Sequence, residues 1–150
     1  MKIKSFTPLI AVFGTSFLIT ITLLKSFQIF MGISICLLAM LKLMDIEAFG
    51  TSYKKYDLIS SKFNFWIYIY PFCELLIGIS FLNSSPPSLI IFIALILGIS
   101  GMISVFQAVY FDKLKLNCAC IGGYAKTPLG IISFSENLLM AIMSVLILIK

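Results

Sequence analysis

Residues 75–111 carry no charged side chain, and neither do residues 5–24 or 26–41. Runs of that length match the ~20 residues a helix needs to cross ~30 Å of hydrocarbon. The composition agrees: 61% of the chain is hydrophobic and only 11% charged, against roughly 25% charged in soluble domains, and the mean hydropathy is +1.12. These features predict an all-α integral membrane protein, with the lipid bilayer as its first partner. The chain contains no His. That removes the commonest metal ligand and general base, and with them zinc-hydrolase, His-ligated haem and Ser-His-Asp chemistry.

Cutting the apolar runs at charges and turn residues predicts a bundle of about five transmembrane helices, near residues 6–24, 28–44, 64–82, 88–110 and 128–149, in a single domain over residues 1–150. Lys2 and Lys4 precede the first run, but it is longer than a signal-peptide core and no small-x-small cleavage site follows, so it reads as a retained helix. Lys25, Ser26 and Phe27 leave room only for a tight hairpin between the first two spans. The Asn83 to Ser88 segment, with Pro86 and Pro87, is a short polar turn between the third and fourth.

The net charge of +5 comes from eleven lysines in short loops beside the spans, not from a basic stripe interleaved with aromatics, so nucleic acid is not the expected partner. With the N-terminus inside, Lys2, Lys4, Lys42, Lys54, Lys55, Lys62, Lys113, Lys115 and Lys126 face the cytoplasm and only Lys25 and Lys150 face out. The positive-inside rule therefore favours an N-in, C-out topology. In the 45–63 connection, Ile46, Phe49, Tyr53, Tyr56, Ile59 and Phe63 recur at helical intervals with Lys54, Lys55 and Asp57 between them, the pattern of a helix lying in the interface plane. Trp66, Tyr68 and Tyr70 follow as an aromatic belt. Ala94, Gly98 and Gly101 on the fourth span, and Gly78 with Ser80 on the third, give narrow faces for close helix approach.

The most specific local feature is Cys118-Ala119-Cys120 followed by Ile121, Gly122 and Gly123, in a loop flanked by Lys113, Lys115 and Lys126. Two thiols one residue apart can close a strained, exchangeable disulfide. They can chelate a soft ion such as Cu(I). They can also be inert small hydrophobes; the flanking lysines, which favour thiolate, and the adjacent glycines speak for function. Glu74 stands in the middle of the third span, where a carboxylate costs ~2.5–3.5 kcal/mol unless paired or protonated, so it is a candidate for proton transfer, cation contact or pairing with a Lys near the interface. Pro71, three residues earlier, removes a backbone donor and can kink the helix. Glu136 is followed by Met140 and Met143 on one face, and Cys36, Met40 and Met44 stack on span two, so a sulfur-lined metal route is conceivable, with Cys118, Cys120 and Met140 as ligands. Ser133 to Glu136 also reads as a capping pattern at the start of the last helix. Cys36 and Cys73, inside spans, read as packing residues.

Several of these motifs occur in a telling order: Phe30-Met31-Gly32 opening a span that closes Lys42-Leu43-Met44-Asp45, then Phe49, Tyr56-Asp57, Tyr70-Pro71-Phe72, Glu74-Leu75 with Gly78, Cys118-x-Cys120-x-Gly122, Pro128 and Glu136-Asn137. Over about residues 29–149 the chain resembles the MauE/DoxX group of redox-associated membrane proteins, with the first helix outside the resemblance. The resemblance implies a four-helix DoxX-like core in the inner (cytoplasmic) membrane and a role in maturing a partner protein; for MauE that partner is methylamine dehydrogenase, whose small subunit needs many disulfides. It also implies that Cys118 and Cys120 are the redox or metal thiols, Glu74 the intramembrane carboxylate, and Lys42 and Asp45 interface residues. The lysine count puts the Cys loop in the cytoplasm, where thiols stay reduced, whereas a factor building disulfides in an exported protein needs them outside.

Overall fold

The structure, a computed structural model, describes residues 7–23, 26–83, 85–111 and 129–149, except for the side chains of residues 8, 9, 22, 23 and 129–132. The described residues form helices and no strand: α1 (Thr7–Leu23), α2 (Phe27–Met44), α3 (Ile46–Tyr53), α4 (Trp66–Leu82), α5 (Ser88–Phe106) and α6 (Leu129–Ile149). The last turn of α5 widens into a π-helix over Gln107–Phe111. Five of the helices follow the apolar runs of the sequence, because in a chain this apolar only internally paired backbone is tolerated in lipid. The segments Phe27–Met44 and Ser88–Phe111 are long and apolar enough to cross a membrane, and the other apolar helices are shorter. Helix α4 runs unbroken through Pro71.

The 45–63 connection differs from the expected in-plane helix. Only Ile46–Tyr53 is helical, started by Asp45, whose Oδ1 accepts the Ala48 N–H at 3.1 Å. The helix stops because Asp57 offers the backbone a competing partner: its Oδ2 accepts from the N–H groups of Ile59 and Ser60 at 3.1 and 2.7 Å. The face that looked interfacial is split. Phe49 and Tyr53 are buried in the bundle, whereas Phe63 is exposed. Helix α3 therefore serves as a plug on the end of the bundle, and its rings belong to the core.

Two helix pairs make up the bundle. Helix α2 packs most closely on α4, and α5 on α6; few contacts join one pair to the other, and α1 lies against α2. Each pair is drawn together by glycine. A Cβ on Gly78 would stand 2.6 Å from Cys36 Sγ and 3.0 Å from the Gly32 carbonyl oxygen, and one on Gly98 would stand 3.0 Å from the Asn137 carbonyl oxygen and 3.1 Å from Ala141 Cβ. Such approach is how helices gain contact where lipid supplies no hydrophobic drive. At the far end, Gln28 donates through Nε2 to the carbonyls of Phe81 and Asn83 at 3.0 and 2.8 Å, closing the C-terminus of α4. Phe72, Leu76 and Ile79 of α4 and Phe92, Ile96, Ile99 and Ile103 of α5 face outward as an apolar belt.

Candidate functional site

The seam between the two pairs is polar at its centre. Lys42, near the C-terminal end of α2, is 2% exposed, and Glu74 of α4 is 3% exposed. Lys42 Nζ donates to both Glu74 oxygens, at 2.7 Å to Oε1 and 2.5 Å to Oε2. It also reaches Glu136 Oε1 of α6 at 3.3 Å. The ammonium thus ties α2 to α4 within one pair and to α6 in the other. Its charge is also held over aromatic faces, 5.3 Å from the Tyr70 ring centroid and 6.0 Å from that of Phe49. Tyr70 donates its phenol hydrogen to Glu74. A bare charge in this interior costs several kcal/mol, and this geometry offsets that cost by pairing and hydrogen bonding.

An aromatic and hydrogen-bonded wall closes the site on the α3 side. Phe49 and Tyr53 stack at 4.8 Å, Tyr53 and Tyr70 lie 4.8 Å apart, and Tyr56 meets Tyr53 edge-on at 5.5 Å. Trp66 and Asp57 are hydrogen-bond partners of the Tyr53 phenol. Burial, with Asp57 and then Glu74 nearby, pushes the Tyr53 phenol well above the ordinary tyrosine range, so it stays a neutral donor. Asp57, 3% exposed, also takes the Ser104 hydroxyl at 3.3 Å, and Ser104 Oγ in turn accepts the Leu58 N–H at 3.3 Å. The loop after α3 is thereby pinned to α5. Between these walls lies a cavity of about 10 Å³, bordered by Lys42, Asp57, Ser104, Ser133, Glu136 and Asn137 among others, room for about one water.

Of the residues singled out in the sequence, Glu74 and Glu136 meet here, joined through Lys42. Lys42 corrects an expectation: it is buried in an ion pair and is not a loop charge, so the lysine asymmetry falls from nine against two to eight against two. A lone carboxylate in a span has to find a counter-charge, and Lys42, at the end of the neighbouring span, is within one side chain's length of it. Tyr53 and Asp57 were legible only as part of a helical pattern and Asn137 only beside Glu136 in the motif order, and none of them, nor Ser104, was marked as part of this site, since the contacts that unite them cross between elements far apart in the chain. Ser133 to Glu136 does not cap a helix, because α6 already begins at Leu129.

The described sulfur side chains of the conceivable metal route divide between interior and surface. Met140 and Met143 of α6 are buried at 3% and 4%, but Met40 and Met44 face outward at 49% and 66%. Cys36 packs against Gly78, and both Cys36 and Cys73 are free thiols. Among the described residues no group of three or more acidic or thiol side chains is arranged to hold a metal. Cys118 and Cys120 lie outside the described residues. The chain leaves the described structure at Phe111 and re-enters at Leu129. Ser104 and Val105 of α5, and Ser133 and Glu136 of α6, border the polar cavity, so both attachment points of the loop lie at its end of the bundle.

An all-helical membrane protein with a lysine and two carboxylates locked in its interior is the class defined by this fold and site. The chain belongs to the methylamine utilisation protein MauE family, whose sequence profile matches residues 9–150. That span takes in all but the first two residues of α1, which the motif-based resemblance had left out. No curated protein and no solved structure matches the chain.

Proposed function

We propose that this protein is a maturation factor of the methylamine utilisation system that exchanges thiols and disulfides with a partner protein through Cys118 and Cys120. In the exchange, a partner thiolate attacks one sulfur of a Cys118–Cys120 disulfide and displaces the other as thiolate. A second partner thiolate then resolves the mixed disulfide. The partner leaves with a new disulfide and the pair leaves as a dithiol, with no other oxidant consumed in that step. The observation that carries this reading is the position of the ion-paired centre. It braces α6 against α2 and α4 at the end of the bundle where the Cys loop is attached, giving a loop of two thiols a rigid base.

A second reading is soft-metal handling, with Cys118, Cys120 and Met140 as ligands for an ion such as Cu(I). Met140 favours it by lying buried on α6, one turn beyond Glu136. The two readings place the loop differently. Exchange with an exported partner wants it outside, in an oxidising compartment, whereas the lysine distribution, with N-in and C-out, wants it in the cytoplasm. Membrane-impermeant maleimide applied to spheroplasts, with Cys36 and Cys73 replaced by Ser, separates them. Labelling from outside only after reduction supports thiol exchange. Labelling only after lysis, without reductant, overturns it in favour of metal binding by reduced thiols.

A further inference from the structure

Among the described residues, charge does not balance around Lys42. One ammonium stands within 3.3 Å of two carboxylates, Glu74 and Glu136, with both oxygens of Glu74 within 2.7 Å. Among the described residues, the other groups facing the centre do not supply the missing positive charge. Helix α3 offers the Tyr53 phenol and α4 the Tyr70 phenol, both neutral donors. The loop after α3 offers Tyr56 and Asp57, and Asp57 is satisfied by two backbone N–H groups, the Ser104 hydroxyl and Tyr53. Helix α5 offers only the Ser104 hydroxyl and the Gly101 backbone at this point.

A second observation is independent of charge. The Glu136 side chain is 10% exposed, and its one described partner is Lys42, on Oε1; no hydrogen bond from a described residue reaches Oε2. Asn137, 7% exposed, donates through Nδ2 to the Ser133 carbonyl at 2.8 Å, which fixes the amide orientation and leaves Oδ1 without a donor among the described residues. Oδ1 is pressed against Gly101, where a Cβ would collide with it. Glu136, Asn137 and Gly101 all border the one-water cavity. Buried oxygens lacking donors are rare and require a partner. A carboxyl proton together with one water would supply donors for both.

We propose that Lys42, Glu74 and Glu136 form a proton-loading site, in which the two glutamates together hold one exchangeable proton in addition to the lysine's own. Hydronium in the cavity gives its proton to the carboxylate pair and remains as water; release reverses the step. Loaded, the centre is neutral, one ammonium against one carboxylate and one carboxylic acid. Unloaded, it carries an excess negative charge in apolar surroundings, which the bundle tolerates only with water in the cavity. A sodium ion is the competing occupant of so small a polar space. It is disfavoured because the Lys42 ammonium already occupies the position between the carboxylates and borders the same cavity.

This site does not depend on the thiols, so its test uses the full chain carrying Cys118→Ser and Cys120→Ser, reconstituted in lipid vesicles. Infrared difference spectra are recorded between alkaline and acidic buffer, in water and in heavy water. The expected result is one deuterium-sensitive carboxylic-acid carbonyl band that grows on acidification and is lost in Glu136→Gln and in Glu74→Gln, since either leaves one carboxylate matched to one ammonium. In Lys42→Met the band persists to more alkaline buffer, because the competing positive charge is gone. That variant also decides the matter if the Gln variants do not fold. No such band, a band indifferent to both Gln changes, or a Lys42→Met band lost at the same pH as in the parent would overturn the proposal. So would a response that follows sodium at fixed pH, which would mark a cation site instead.

Discussion

At the residue scale the centre is held by mutual dependence. Replacing Lys42 by Met leaves two buried glutamates without a counter-charge, and Glu74→Leu leaves the ammonium with only the longer contact to Glu136. Each single change is expected to destabilise by about 3–5 kcal/mol, the cost of breaking a buried pair from one side. The double change Lys42→Met with Glu74→Leu is expected to cost less than the sum of the two, because removing both partners leaves apolar side chains in apolar surroundings. Unfolding of the detergent-solubilised protein, followed as a double-mutant cycle, measures this; additive costs would mean that the pair does not act as a unit. The need for such a partner was legible in the sequence, because a carboxylate within a span has to be paired or protonated. The identity of the partner was not. Lys42 stood beside Asp45 and read as an interface charge, and only the α2–α4 crossing brings it under Glu74.

At the element scale, small residues decide where the helices meet. Gly101 and Gly98 were legible as a packing face on α5, and the structure presents them to Asn137 and Ala141 of α6. Gly101→Ala drives a methyl into the Asn137 side chain and is expected to cost about 1–3 kcal/mol through overpacking. Gly14→Ala is the control: no atom of a described residue lies within 4 Å of a Cβ there, and the change is expected to be neutral or to stabilise α1 by up to about 1 kcal/mol. Equal effects at the two positions, read from the same unfolding assay, would remove the packing explanation. Asp57 makes the corresponding point for the connection after α3. Its periodicity resembled a longer helix because Tyr56 and Ile59 keep helical spacing. What the pattern could not show is a buried carboxylate that captures the Ile59 and Ser60 N–H groups and bonds to Ser104. In Asp57→Ala, hydrogen exchange at residues 58–61 is expected to accelerate while the amides of α4 keep their protection; unchanged exchange in the loop would show that Asp57 does not hold it.

At the scale of the whole molecule, the arrangement is apolar outside and charged within, the reverse of a water-soluble fold. Helix α4 shows the contrast within two residues: Glu74 points into the seam at 3% exposure, whereas Leu76 points away at 60%. Both lie in the middle of the same apolar helix, so they differ in direction and hardly in depth. If lipid surrounds the belt, a charge is tolerable on one side of α4 and costly on the other. Leu76→Arg is expected to lower the amount of membrane-integrated, folded protein sharply, at ~2.5–3.5 kcal/mol for an arginine near the centre of a spanning helix. Thr51→Arg, at an exposed position on α3 outside the apolar belt, is expected to change little. Carbonate-resistant membrane yield and the fraction surviving size-exclusion chromatography in mild detergent measure both variants side by side. Equal tolerance would mean that the face bearing Leu76 meets water or another protein. Loss at Leu76 alone would place lipid directly behind the helix that carries Glu74, so that no polar neighbour reaches the charged centre from that side.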